Sequence, residues 1–118
     1  AGKDVSNAGI AGTLLMLCEC SKVGCILDVD ALPYPKSAPK TAERMADWLT
    51  AFFSYGFLLA VQEAHLAALT ELFSKNALIA AVIGRFCEGS IVRLVSDGQD
   101  ALLRNLERDP LLCVRQNL

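Results

Sequence analysis

The run Asp4-Val5-Ser6-Asn7-Ala8-Gly9-Ile10-Ala11-Gly12, directly behind Lys3, holds residue types that can bind phosphate. A short side-chain oxygen at Ser6 or Asn7 can accept a backbone N–H that the first turn of a helix leaves unpaired, so either residue can cap a helix running from Ala8. Such a helix start favours anions, because its free N–H groups and the positive end of its dipole point the same way. Gly9 and Gly12 lie three apart on one face, and without side chains they let a phosphate, or another backbone, approach that face. Lys3 adds a positive charge. Asp4 repels a bare phosphate and becomes compatible with one through a bridging Mg²⁺ or a hydrogen-bonding substrate. The same residues also describe a plain capped helix packed closely through its glycines, and the spacing does not separate the two readings.

Composition limits what this stretch can belong to. A chain of 118 residues buries one core. Hydrophobic residues make up 53% of it and mean hydropathy is +0.39, above the roughly 45–50% apolar share of ordinary soluble domains, so part of the surface is expected to be covered by a partner. The chain starts at Ala1 and reaches the candidate site within a few residues, which predicts a piece of a longer protein. Eleven basic against 13 acidic residues give a net charge of −2. With no basic stripe and no aromatic platform, nucleic acid is not expected as a partner. The longest apolar runs, Gly56 to Val61 and Ala77 to Gly84, are far shorter than the ~20 residues of a membrane span, and no basic n-region precedes a cleavage site in these residues. A cytoplasmic domain is expected. The five cysteines (18, 20, 25, 87 and 113) are odd in number and lie in apolar surroundings, so they are expected to be reduced and unmetallated.

The elements that would position the opening stretch follow from periodicity. A helix is predicted from about Ala8 to Cys20, with Ile10, Leu14, Leu17 and Cys18 as its apolar stripe. Cys25-Ile26-Leu27-Asp28-Val29-Asp30 reads as a short edge strand with Asp28 and Asp30 on one solvated face. Pro33-Tyr34-Pro35 and Pro39 enforce an extended link. A second helix is predicted from Lys40 or Thr41 to about Phe52, with Trp48 as a core or interface anchor. Phe57 to Val61 reads as a central strand covered on both faces. The spacing of Leu66, Leu69, Leu72 and Phe73 predicts a third helix over Glu63 to Lys75, stopped by Asn76 as a left-handed residue, with His65 facing solvent in its first turn. Ala77 to Gly84 reads as a buried strand forming a hairpin with Ile91 to Val95 through Glu88-Gly89-Ser90. After the Asp97-Gly98 turn, residues 100 to 107 fit a helix or a returning edge strand, with the strand preferred.

Taken together, the opening run from Asp4 to Gly12, Asp28-Val29-Asp30 with prolines behind it, Ser54-Tyr55-Gly56-Phe57, and Ile83-Gly84 followed by Gly89 resemble the C-terminal domain of the AIR synthase superfamily. That superfamily includes aminoimidazole ribonucleotide synthetase, selenophosphate synthetase, thiamine-monophosphate kinase and a hydrogenase-maturation protein. The resemblance spans nearly the whole chain, 1–118 as one domain. It implies a layered α/β sandwich with a mixed, largely antiparallel sheet and about three helices. It also implies a parent enzyme that uses ATP and Mg²⁺ to phosphorylate or activate a small-molecule substrate. In such a parent, ATP and most metal ligands lie in an N-terminal domain that this chain lacks, and the start of the C-terminal domain faces the substrate. That role carries onto Asp4, Ser6, Asn7 and Gly9; the charge of Lys3 adds it to the expected phosphate site, and the charge of Asp4 makes it the expected Mg²⁺ ligand. The chain by itself is then not expected to turn over ATP, and its partners are the missing domain or a second copy. Asn7 stands where the cyclo-ligases have glycine, and Thr13 where selenophosphate synthetases tend to have histidine, so neither substrate carries over. The alternative is a docking module that keeps the superfamily fold without catalysis.

Overall fold

A single apolar helix and one strand make the centre of the molecule. The computed structural model describes residues 1–6, 8–33, 42–51 and 56–112, without the side chains of 42–45. Helix α1 (Gly9–Ser21) buries Ala11, Leu14, Leu15 and Cys18 against Cys25 and Leu27 of strand β2 (Gly24–Asp28). Val29, Leu32, Leu49, Val92 and Leu106 complete that core. Lys22 ends α1 in the left-handed conformation, and its N–H and that of Val23 return to carbonyls of the last turn.

Strand β2 pairs on both sides. Its neighbours are strands β4 (Gly84–Cys87), antiparallel, and β5 (Ile91–Ser96), parallel, while β6 (Gln99–Asn105) follows β5 antiparallel. The sheet order is β4-β2-β5-β6, which makes β2 an interior strand and corrects its reading as an edge. The expected hairpin between the segment before Gly89 and β5 is also absent, because β2 lies between the two. Strands are about 4.8 Å apart and each residue spans about 3.3 Å, so the arch Glu88-Gly89-Ser90 is long enough to step over one strand. Gly84 sits where β4 passes β2, and a Cβ there would lie about 2.1 Å from the Ile26 carbonyl oxygen. No other residue fits that crossing. Residues 99–105 are strand, as preferred from the sequence.

Three further readings change. Strand β3 (Phe57–Leu59) is short and pairs only with β1 (Gly2–Asp4), in a separate two-stranded ribbon. Phe57 is 73% exposed, so an unbroken apolar run here marks a strand beside the core and not through it. Residues 78–83 form no strand, although the Ile83 carbonyl accepts the Asp28 N–H at 2.7 Å, and Ile79 is 82% exposed. Helix α3 (Leu66–Lys75) has no buried residue, and a 3-10 turn, Glu63–His65, precedes it. Asn76 keeps a negative φ and donates its side-chain amide to the Leu72 carbonyl, while the left-handed residue is Ala77. His65 is exposed, as expected. Helix α2 covers Ala42–Thr50, and Trp48 packs half-buried against the core. The expected start of α2 at Lys40 or Thr41, its extension to Phe52, the Tyr34-Pro35 link, Ser54-Tyr55 and Cys113 lie outside the described residues.

Asp28 and Asp30 have separate tasks. Asp28 accepts the Asp30 N–H at 3.0 Å and starts a 3-10 turn, Val29–Ala31, so the strand ends before Asp30. The Asp30 carboxylate accepts from the Asp97 N–H at 2.6 Å and the Ser96 hydroxyl at 2.8 Å, and these bonds hold it below the usual carboxylate range. They pin the end of β2 to the β5–β6 turn. A carboxylate with a lowered folded-state pKa stabilises the fold above the unfolded value near 4 and loses that effect as pH falls through the lower folded value. The thermal midpoint of the wild-type chain should therefore exceed that of Asp30→Asn at neutral pH, with the gap closing below about pH 4. A gap independent of pH would show that the carboxylate charge contributes nothing.

Among the described cysteines, Cys18 and Cys25 are buried, Cys87 is half-buried and Cys20 is exposed, all as free thiols. A hydrogen bond with Cys25, then burial, then the adjacent Cys25 and Cys87 push the Cys18 thiol above the ordinary cysteine range. Since the thiolate is the reactive form, a thiol reagent should label Cys20 first and Cys18 only on unfolding. Peptide mapping after partial labelling reads the order, and early labelling of Cys18 would contradict the packing.

Candidate functional site

The opening residues form a strand, a bent strap and a helix. Strand β1 is held by β3, with Asp4 opposite Phe57, and the Val5 N–H donates to the Gly56 carbonyl at 2.8 Å. Val5 is buried, so the chain is fixed where it leaves the ribbon. Between Val5 and α1 the backbone reverses through two consecutive left-handed residues, Ala8 and Gly9, each with φ 65°. The Gly9 N–H donates to the Ser6 carbonyl at 2.9 Å, and the Gly12 N–H to the Ala8 carbonyl at 2.9 Å.

The helix start is therefore built differently from the capped helix expected of Ser6. Ala8 holds the capping position with no side-chain hydrogen bond. Ser6 contributes its main-chain carbonyl, and its hydroxyl accepts from Lys3 Nζ at 3.2 Å. A left-handed alanine explains the change, since this bend turns the backbone carbonyl of Ser6 onto the first helical N–H, where a side-chain oxygen would otherwise sit. Asn7, the other expected cap, lies outside the described residues.

Lys3, Asp4 and Ser6 come together. Lys3 Nζ is 3.4 Å from Asp4 Oδ1 and also donates to the Asp4 carbonyl at 3.4 Å. The Asp4 side chain is 67% exposed. An ion pair this open to water is weak, so either partner is free to turn to a ligand at little cost. The cluster offers an ammonium, a hydroxyl and a carboxylate on one short stretch, a set that suits a phosphate oxygen and a divalent cation side by side. Among the described residues, no group of three or more His, Cys, Asp and Glu side chains gathers as a metal set. Asp4 is thus a single carboxylate, which fits Mg²⁺ in the mode where one carboxylate, phosphate oxygens and water share the ion.

Gly9 is brought to the site, and its open side faces protein. A Cβ at Gly9 would lie 2.5 Å from the Ala51 carbonyl oxygen and 2.6 Å from that of Leu49. The close approach its bare backbone allows is that of the last turn of α2. A ligand at the helix start is left the side occupied by Lys3 and Ser6. The sequence reading missed Thr13 as a member of this arrangement: its side chain is fully buried, and Oγ1 accepts the Ser6 N–H at 3.1 Å. A hydroxyl among the apolar residues of the helix marks Thr13 as unusual, but nothing in the spacing points it to Ser6, seven residues before it.

Gly9→Val would combine a positive φ that a branched residue resists with a clash against two carbonyls. It should lower stability by roughly 2–4 kcal/mol, read by denaturant unfolding. A loss below about 0.5 kcal/mol would mean that α2 does not sit on this glycine in solution.

The sequence pattern of the AIR synthase related protein C-terminal domain matches residues 1–97. The uncharacterized protein sll0787 of Synechocystis sp. is 40% identical over 111 residues, covering 94% of this chain and 33% of that protein. The uncharacterized protein MJ0640 of Methanocaldococcus jannaschii is 29% identical over 82 residues, covering 70% of this chain and 24% of that protein. The chain thus spans a third or less of the length of these relatives. Among solved structures, Thermotoga maritima PurL complexed with ATP superposes with a TM-score of 0.74 at 14% identity, over 86% of this chain and 17% of that one. Thiamine-monophosphate kinase from Stenotrophomonas maltophilia superposes with a TM-score of 0.70 at 25% identity, over 86% of this chain and 32% of that one.

Proposed function

The chain belongs to the AIR synthase related protein family, as its C-terminal domain, and from that membership we propose that it is the substrate-side domain of an ATP- and Mg²⁺-dependent enzyme that phosphorylates or activates a small substrate. The observation that carries the reading is the meeting of Lys3 Nζ with Ser6 Oγ at 3.2 Å and Asp4 Oδ1 at 3.4 Å at the start of α1. The names of two structural neighbours support it, one complexed with ATP and the other a kinase of a phosphorylated substrate. The rest of the parent chain supplies the nucleotide site in this reading, consistent with relatives of which this chain matches a third or less.

The residues divide the work by charge. Lys3 attracts a phosphate oxygen, and Ser6 gives it a hydroxyl donor once the ammonium turns to the ligand. Asn7 belongs to the same proposed subsite by its place in the run, while Gly9, covered by the last turn of α2, serves it by letting the strap bend. Asp4 would hold Mg²⁺ against the phosphate, and the ion supplies charge neutralisation there when bound. Without the ion, Asp4 and a phosphate repel each other, so Lys3 acts first to screen the carboxylate.

A docking role for the domain has its own support in the exposed apolar residues Leu72, Leu78, Ile79 and Val82, which lie on α3 and the segment after it. The two readings part on one substitution. In the full-length parent, Asp4→Asn should lower ATP-dependent turnover at least about tenfold, equivalent to ~1.4 kcal/mol of transition-state stabilisation, with the fold intact. Steady-state kinetics across a Mg²⁺ titration measures it. Turnover and Mg²⁺ dependence both unchanged in an active parent would remove Asp4 from the site, and a parent with no ATP-dependent activity would favour the docking role.

A further inference from the structure

Thr13 carries the only fully buried polar side chain among the described residues. Its place in α1 calls for an apolar residue: it lies in the helix between Gly12 and Leu14, and both of these are buried as well. Valine would fill the same volume with no polar atom, and a buried hydroxyl without a partner costs roughly 1–3 kcal/mol. Its retention makes sense through the bond it accepts, from the Ser6 N–H at 3.1 Å.

That bond closes a frame around one residue. The Ser6 N–H is held by Thr13, its carbonyl by the Gly9 N–H at 2.9 Å, and its hydroxyl by Lys3 Nζ at 3.2 Å. The first two anchors are on α1, a packed element. The third is the flexible lysine of the candidate subsite. With N–H and C=O both tied to the helix, the direction of the Ser6 side chain is set by α1 and not by the strap. Without the Thr13 acceptor, the Ser6 amide loses its side-chain anchor in the core of α1, and the strap is tied to the helix only through its backbone bridge to Gly9.

We propose that Thr13 is a positioning residue whose buried hydroxyl holds the Ser6 amide, so that Ser6 Oγ and Lys3 Nζ converge on one phosphate oxygen. This rests on the phosphate-subsite reading above. Thr13 touches no ligand, and its contribution reaches the subsite through Ser6.

The test uses the ¹⁵N-labelled chain, with inorganic phosphate plus Mg²⁺ as the probe. Amide exchange at Ser6 and phosphate-induced shifts at Lys3 and Ser6 are compared in wild type, Thr13→Val and Thr13→Ser. Thr13→Val should speed Ser6 exchange about tenfold and weaken the phosphate response about fivefold, matching the loss of one hydrogen bond, while global unfolding shifts little. Thr13→Ser should restore both to within about twofold of wild type. Thr13→Ala replaces the valine variant if that one does not fold. Unchanged Ser6 exchange in Thr13→Val overturns the tie. Faster exchange with an unchanged phosphate response overturns the positioning role, as does a folded Thr13→Ser that behaves like Thr13→Val. A wild-type chain that gives no phosphate response sinks the subsite reading and the positioning role with it, while the exchange data still report whether the Ser6–Thr13 bond exists.

Discussion

The last turn of α2 lies so close over Gly9 that no side chain fits between them, and the shape of the amino-terminal strap depends on that approach. Two helix ends meet there with opposite partial charge. The carbonyls of Leu49 and Ala51 belong to the negative end of α2, and Gly9 begins the positive end of α1. Their contact satisfies part of each dipole without a charged residue in the first turn of α1, where there is no acidic side chain. It also decides which side of the helix start remains for anything else, and that side carries Lys3, Asp4 and Ser6.

Much of the centre was legible from residue pattern. The α1 stripe gave the helix within a residue or two, because an apolar run of that length with glycine behind it has few other solutions. The β5–β6 turn was legible in Asp97-Gly98, where both residues adopt positive φ. Strand placement was not. Cys25 to Asp28 reads the same at the edge of a sheet or inside it, and only the partners contributed by Gly84 to Cys87 and Ile91 to Ser96 make it interior. Runs such as Phe57 to Val61 and Ala77 to Gly84 state that apolar surface exists. They do not state whether this domain or its surroundings cover it.

The candidate site divides in the same way. Charge and side-chain chemistry marked Lys3, Asp4 and Ser6 correctly as neighbours, since β1 and the strap keep residues three apart within reach. The means of holding them was hidden. Ser6 or Asn7 was expected to cap the helix through its side chain, and Ser6 contributes its carbonyl instead because Ala8 takes a left-handed conformation. Nothing in an alanine announces that. Thr13 was hidden for a related reason, because a hydrogen bond from a strap to a helix seven residues on follows no local periodicity.

The pinning of Asp30 by Ser96 and Asp97 joins groups 66 and 67 residues apart in the chain. The parallel partner of β2 lies at the same remove, in β5. A ribosome releases β2 long before that partner exists, so α1 and β2 must wait as a helix beside an unpaired strand while α2, β3 and α3 pass through the exit tunnel. The central strand is the earliest strand of its sheet to be made and among the last to be secured. The order of synthesis thus leaves the core of this domain open longest around its central strand, an interval in which a chaperone has something to hold.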